Sequence, residues 1–178
     1  MFLFNRKSPE EKEAARLEKL RRTEGDRAFG GAIMTPVGVL SLADICMVRL
    51  VPEEQALQIN CGRKLVSIPY AALRGMSTSS EAQIARDESP ITALEMTELL
   101  SGDAGQFVGD MDKNAEARAR WFIAIDYEDE AGAQQRLIFI AYSMRGPYIA
   151  RGKLYAAVQF EETLNDIMRR FGTAGQPS

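Results

Sequence analysis

Asp126, Glu128, Asp129 and Glu130 place four carboxylates within five positions, and carboxylates so crowded can hold a divalent cation or move protons. The run lacks the ligand spacing of a calcium loop, so it reads as a charged hairpin tip and no metal site is expected. Two acids facing one cleft across a sugar could hydrolyse a glycosidic bond, but the sequence singles out no such pair. The chain contains no histidine, which removes Ser-His-Asp and Cys-His catalysis together with the usual zinc sites. It has no GxxxxGK[ST] loop and no GxGxxG after a strand, so nucleotide chemistry lacks its backbone cradle. The expectation is a chain that is not an enzyme, with no catalytic residue, no metal and no cofactor.

The cations offer binding chemistry instead. Arg63 and Lys64 share a turn, with Arg74 close in sequence, and the three could form a small anion or partner patch. Arg145, Arg151 and Lys153 lie in a basic loop before the last helix, a stronger candidate for an anionic partner. Phe2, Leu3 and Phe4 precede Arg6 and Lys7, a combination that suits weak membrane contact or docking into a partner's groove. Cys46 and Cys61 alternate with polar neighbours as small apolar side chains do. Two free buried thiols are expected, with a disulfide across adjacent strands as the alternative.

These residues must be held by regular elements, and the periodicity names them. Met47–Val51, Leu57–Cys61 and Leu65–Ile68 alternate with only turn-sized gaps between them, which is an antiparallel meander. A second meander begins at Arg120: Trp121, Ile123, Ile125 and Tyr127 share a face, and Leu137, Phe139 and Ala141 share one on the returning strand. Ile138 and Ile140 make that returning strand apolar on both faces, so it should lie centrally with a helical element covering its outer side. Ala157, Phe160, Leu164, Ile167, Met168 and Phe171 recur at helical spacing and define a closing amphipathic helix.

The remaining segments are less regular. Ser8, Pro9 and Glu11 mark a helix start, followed by a thin apolar stripe of Ala14, Leu17 and Leu20. Gly25, Gly30 and Gly31 read as the joint to the main domain, and Ala32–Leu42, interrupted by Pro36 and Gly38, as an irregular edge strand. Residues 76–90 read as a Ser-rich loop and ITALEMTELL as a short helix. Ser101, Gly105 and Gly109 then recur every four residues; such small residues either admit a close helix partner or simply break the chain into a turn. The organisation expected is a charged helical arm over 1–28, a domain over 29–171 with an insert at about 76–119, and a disordered tail over 172–178.

With 178 residues and 46% hydrophobic content the chain can bury one domain core. A net charge of −3 leaves no cationic surplus for phosphate neutralisation, so no nucleic-acid partner is expected. No apolar run is long enough to span a bilayer and the opening Met-Phe-Leu-Phe is too short for a secretory signal, so a cytoplasmic location is expected.

Leu50, Pro52, Leu57, Ile59, Ile68, Pro69 and Tyr70, within RLVPEEQALQI and KLVSIPYAAL, together with the strand sequence and the closing helix, resemble bacterial pleckstrin-homology-like domains. The resemblance covers about residues 35–75 and 120–171. It implies an α+β fold: a PH-like roll, a partly open barrel of two antiparallel sheets capped by a C-terminal helix, here with an N-terminal helix and a loop or helix insert. LLSGDAGQFVGDM looks like a polar form of the Gly-rich insert of some members, a departure that argues against an inherited membrane role. The loop matching the basic phosphoinositide site of lipid-binding members is acidic Pro52-Glu53-Glu54-Gln55, which repels phosphate. The resemblance implies a binding or scaffolding module with a protein partner, self-association included. The alternative is a peripheral membrane protein using Phe2 to Phe4 and the small-residue insert.

Overall fold

Alternating side chains with turn-sized gaps pair with their nearest neighbours, and the two meanders do so. The computed structural model describes residues 8–92, 94–96, 119–141, 148–149 and 154–172. Its elements are α1 (Pro9–Arg22), β1 (Ala28–Ile33), β2 (Ile45–Val51), β3 (Ala56–Cys61), β4 (Lys64–Pro69), β5 (Leu73–Ser80), α2 (Glu81–Ala85), β6 (Ala119–Glu128), β7 (Gln134–Ala141), the short β8 (Tyr148–Ile149) and α3 (Tyr155–Phe171). The main strands form one antiparallel path in the order β4-β3-β2-β1-β7-β6-β5, and β8 pairs with the start of β6.

The core shows how this path is shaped. Phe29, Val48, Ile59, Ile68, Leu73, Ile123 and Phe139, one from each main strand, belong to a single buried cluster with Phe160, Leu164 and Ile167 of α3. For strands at both ends of the path to share one cluster, the sheet must curl around the helix. Phe160 meets Phe29 edge-on at 4.9 Å between ring centroids, and Phe29 meets Phe139 likewise at 5.8 Å, an arrangement that favours ring quadrupoles as well as burying area. The α+β class, the antiparallel sheet and the closing helix are therefore as expected.

A second, smaller core lies on the outer face. Phe122, Ala124 and Ile138 are covered by Ile84, Ile91 and Met96 from α2 and the segment after it. The two-faced apolarity of β7 thus has the helical cover it called for.

Three expectations are corrected. The first strand is β1, a central strand between β2 and β7, and not an edge strand over 32–42. Gly30 and Gly31 lie inside it, where a Cβ on Gly31 would stand 3.1 Å from both the Ile140 carbonyl oxygen and the Phe139 Cβ; glycine here allows close strand approach. The Ser-rich residues 76–80 are strand and not loop, extending β5 to Ser80, which then caps α2 in a capping box with Gln83. The N-terminal helix does carry its expected Ser8–Glu11 capping box, and it docks on α3 through Arg16–Glu162 at 3.5 Å and Arg21–Asp166 at 3.3 Å. Residues 101–109 and 173–178 lie outside the described residues.

Replacing Phe160 by Ala should cost about 3–5 kcal/mol, because it empties a fully buried site in the cluster to which all seven main strands contribute. Urea unfolding measures it. A loss under about 1 kcal/mol would show that the sheet closes without the helix.

Candidate functional site

A sheet that is not a closed barrel has two edges, and the two here are treated differently. Along β5, α3 packs with Glu161 beside Thr78. Burial pushes the Glu161 carboxyl above its ordinary 4.5, outweighing the Thr78 hydroxyl and backbone, which favour the charged form; the neighbouring Glu162 adds to the rise. At the other end of the path, β4 has no strand beyond it among the described residues.

The register fixes what β4 offers. Cys61 and Lys64 close a two-residue turn in which Gly62 has φ +62°, the left-handed position that suits glycine. From that pair the antiparallel ladder alternates, so Lys64, Val66 and Ile68 bond toward β3 while Leu65 and Ser67 direct N–H and C=O away from it. Tyr70 N–H donating to the Gln55 carbonyl at 2.8 Å confirms the parity. Pro69 has no N–H and ends the free edge.

The outer face beside this edge is apolar. Leu65 pairs with Asn60 and Asn60 with Met47, so the three lie in one row across β4, β3 and β2. Leu65 is 52% exposed, Met47 50% and Ile45 64%, which is unusual for large apolar side chains held on rigid strands. Next to them Arg49 Nη2 donates to Gln58 Oε1 at 2.7 Å and Gln58 Nε2 to Glu54 at 2.7 Å, a polar border.

Cys46 and Cys61 lie beneath this surface, bonded to each other, so the expectation of two free thiols is corrected. The register that pairs Met47 with Asn60 sets the cysteines opposite one another in a non-hydrogen-bonded pair, and their Cα separation of 4.5 Å is the spacing of such a pair and within disulfide range. The bond ties β2 to β3. Disulfides persist in oxidising surroundings and are rare in cytosol, which weighs against the cytoplasmic expectation. None of the described helices is long and apolar enough to cross a membrane.

The expected patch of Arg63, Lys64 and Arg74 is not assembled. Arg63 and Lys64 sit at the start of β4, and Arg74 follows its far end, some 20 Å along the strand at about 3.3 Å per residue. Lys64 Nζ donates to Asp44 at 2.7 Å, and that hydrogen bond draws the Asp44 carboxyl below its ordinary value. Arg74 pairs with Glu128 at 2.8 Å. Arg63 remains exposed on its turn. Arg145, Arg151, Lys153, Phe2, Leu3 and Phe4 lie outside the described residues.

Three of the four acids in the run, Asp126, Glu128 and Asp129, are spent on structure, and Glu130 is exposed. Asp126 takes Arg136 in two hydrogen bonds at 2.6 and 3.2 Å, and Asp129 accepts backbone N–H from Ala131 and Ala133 at the hairpin tip. Arg74, Glu95, Asp126, Gln134, Gln135 and Arg136 line an open groove of about 470 Å³. Arg136 also reaches Glu95 and the Pro90 carbonyl, so its guanidinium clamps the outer cover to β7 and has little capacity left for a ligand.

Comparison with protein-family models, curated proteins and solved structures finds no match to this chain. The site therefore rests on its geometry. Sequence reading missed Ile45, Met47 and Leu65 as surface, because an alternating strand only says that one face is buried and leaves the other unspecified. Arg136 with Glu95 was also missed, since 41 positions separate them.

Two outcomes are expected. The double substitution Cys46→Ala, Cys61→Ala should cost about 2–4 kcal/mol, from freeing a loop with a sequence separation of 15, as read by urea unfolding under oxidising conditions; no loss would mean the bond constrains nothing. Because Glu161 is harder to ionise folded than unfolded, the wild type should lose stability as pH rises from its ordinary 4.5 through its folded value. Glu161→Gln should be free of that loss, so the variant gains on the wild type over this window. Parallel thermal melts across pH would contradict the burial.

Proposed function

We propose that the chain is a non-catalytic, PH-like binding module that takes up a protein partner at the β4 edge. What carries the reading is the asymmetry of the two edges: β5 is covered by α3, whereas β4 directs the N–H and C=O of Leu65 and Ser67 outward beside exposed Leu65, Met47 and Ile45. Soluble proteins blunt or cover strand edges because an open one recruits another strand. An edge left open next to an apolar row is suited to strand addition, in which main-chain bonds give affinity and alternate side chains give specificity.

The PH-like part is supported by a meander of four strands joined to one of three, with an amphipathic helix filling the curl. The non-catalytic part is supported by how the strongest charges are used. Arg136 pairs with Asp126 and Glu95, and Arg74 with Glu128, so each charged residue described as lining the groove has an ion-pair partner.

Crosslinked capture from the native cell tests this with the wild type and a Met47→Lys, Leu65→Lys variant whose fold is checked by circular dichroism. Both side chains are exposed, so the substitutions should leave stability within about 0.5 kcal/mol. Partners bound by the wild type should be lost at least tenfold from the variant. Equal recovery by both chains would remove β4 from the reading.

A further inference from the structure

The β4 edge is complementary to itself. Leu65 and Ser67 are two residues apart, and both point N–H and C=O outward. An antiparallel copy centred on Val66 sets Leu65 of each chain against Ser67 of the other, and both residues of each copy then bond fully. A shift one way brings in Pro69, which lacks an N–H; a shift the other way brings in Arg63, a turn residue.

Charge points to the same arrangement. The exposed Arg63 stands at the start of β4, and the exposed Glu53 and Glu54 stand in the turn before β3, at the end where Ala56 pairs with Pro69. Antiparallel pairing brings Arg63 of one copy to the acidic end of the other, twice, whereas a parallel partner would align like with like. Leu65, Met47 and Ile45 of the two copies then lie on one continuous outer face.

We infer that the occupant of β4 is a second copy of this chain, paired strand to strand across a two-fold axis at Val66; this rests on the reading of β4 as a docking edge. The assembly closes at two. The opposite end of the seven-strand path, β5, is covered by α3, so among the described residues the path offers no second open end from which to extend the sheet into a fibre. Pro69 also keeps the paired segment short, which makes the association reversible and dependent on concentration.

Sedimentation velocity on the full, oxidised chain tests the inference. The wild type should pass from monomer to dimer as concentration rises. Arg63→Glu and Glu53→Arg should each weaken the dimer roughly tenfold, and the two together should restore it. Register is read by mixing a Leu65→Cys chain with a Ser67→Cys chain under mild oxidation. A hydrogen-bonded pair holds its Cα atoms about 5.5 Å apart, within disulfide range, so the mixture should crosslink while neither chain does so alone. A monomer at every concentration, or a dimer indifferent to both charge reversals and without the mixed crosslink, would overturn the two-fold pairing. If the monomer still captures a Leu65-dependent partner, the docking reading survives and only the second copy is ruled out. If it captures none, both fall.

Discussion

The seating of α3 against the concave face of the sheet is the constraint on which the rest of this structure depends. One face of the helix puts Phe160, Leu164 and Ile167 into a cluster fed by all seven main strands, so the same contacts that bury the helix curl the sheet. A second face carries Glu161 along β5 and covers that edge. A third presents Glu162 and Asp166 to α1. Asp166 and Glu24 are almost wholly buried and both pair with Arg170; Asp166 also has Arg21 and Arg169, so removing Arg170 would leave the buried Glu24 charge without an ion-pair partner among the described residues, which is far costlier than losing a surface pair. Tyr70 packs over this group against Phe171, its hydroxyl made a much weaker acid by burial and by the Glu24 charge. The helix therefore decides which end of the sheet is finished and which is open.

Rigidity at the open end comes from a different source. The Cys46–Cys61 bond ties β2 to β3, the two-residue Gly62–Arg63 turn ties β3 to β4, and Lys64 reaches back to Asp44 just before β2. An edge held this firmly loses little entropy when a partner strand is added, because its own backbone is already ordered. The groove around Arg136 is its opposite: rich in charge yet internally neutralised, it fastens the outer cover to β7.

Much of the scaffold was legible in the sequence because one buried face per strand imposes a period of two. The meander of 47–69, the two-faced β7 and the stripe from Ala157 to Phe171 all follow from that rule or its helical counterpart. Where reading failed, a tertiary contact had overridden composition. Gly30 and Gly31 look like a joint, but Gly31 is small because Phe139 and Ile140 crowd it. MSTSS looks like a loop, but its serines line an edge strand under a helix, and the Ser89 hydroxyl donates to Ser79 at 2.8 Å. The disulfide was recoverable from the hairpin register, whereas the alternation alone fitted small apolar side chains equally well. The basic patch failed for a simpler reason: eleven positions from Arg63 to Arg74 span a whole strand and turn their ends apart.

The central claim is that β4 is an open edge and β5 a covered one, and amide hydrogen exchange in the dilute full chain tests it most directly. The Leu65 and Ser67 amides, which have no partner on β3, should exchange close to unprotected rates, while those of Val66 and Ile68, which alternate with them, and the β5 amides under α3 exchange far more slowly. Protection of Leu65 and Ser67 equal to that of Val66 in the dilute chain would contradict the account, because it would mean that another part of the same molecule already occupies the edge.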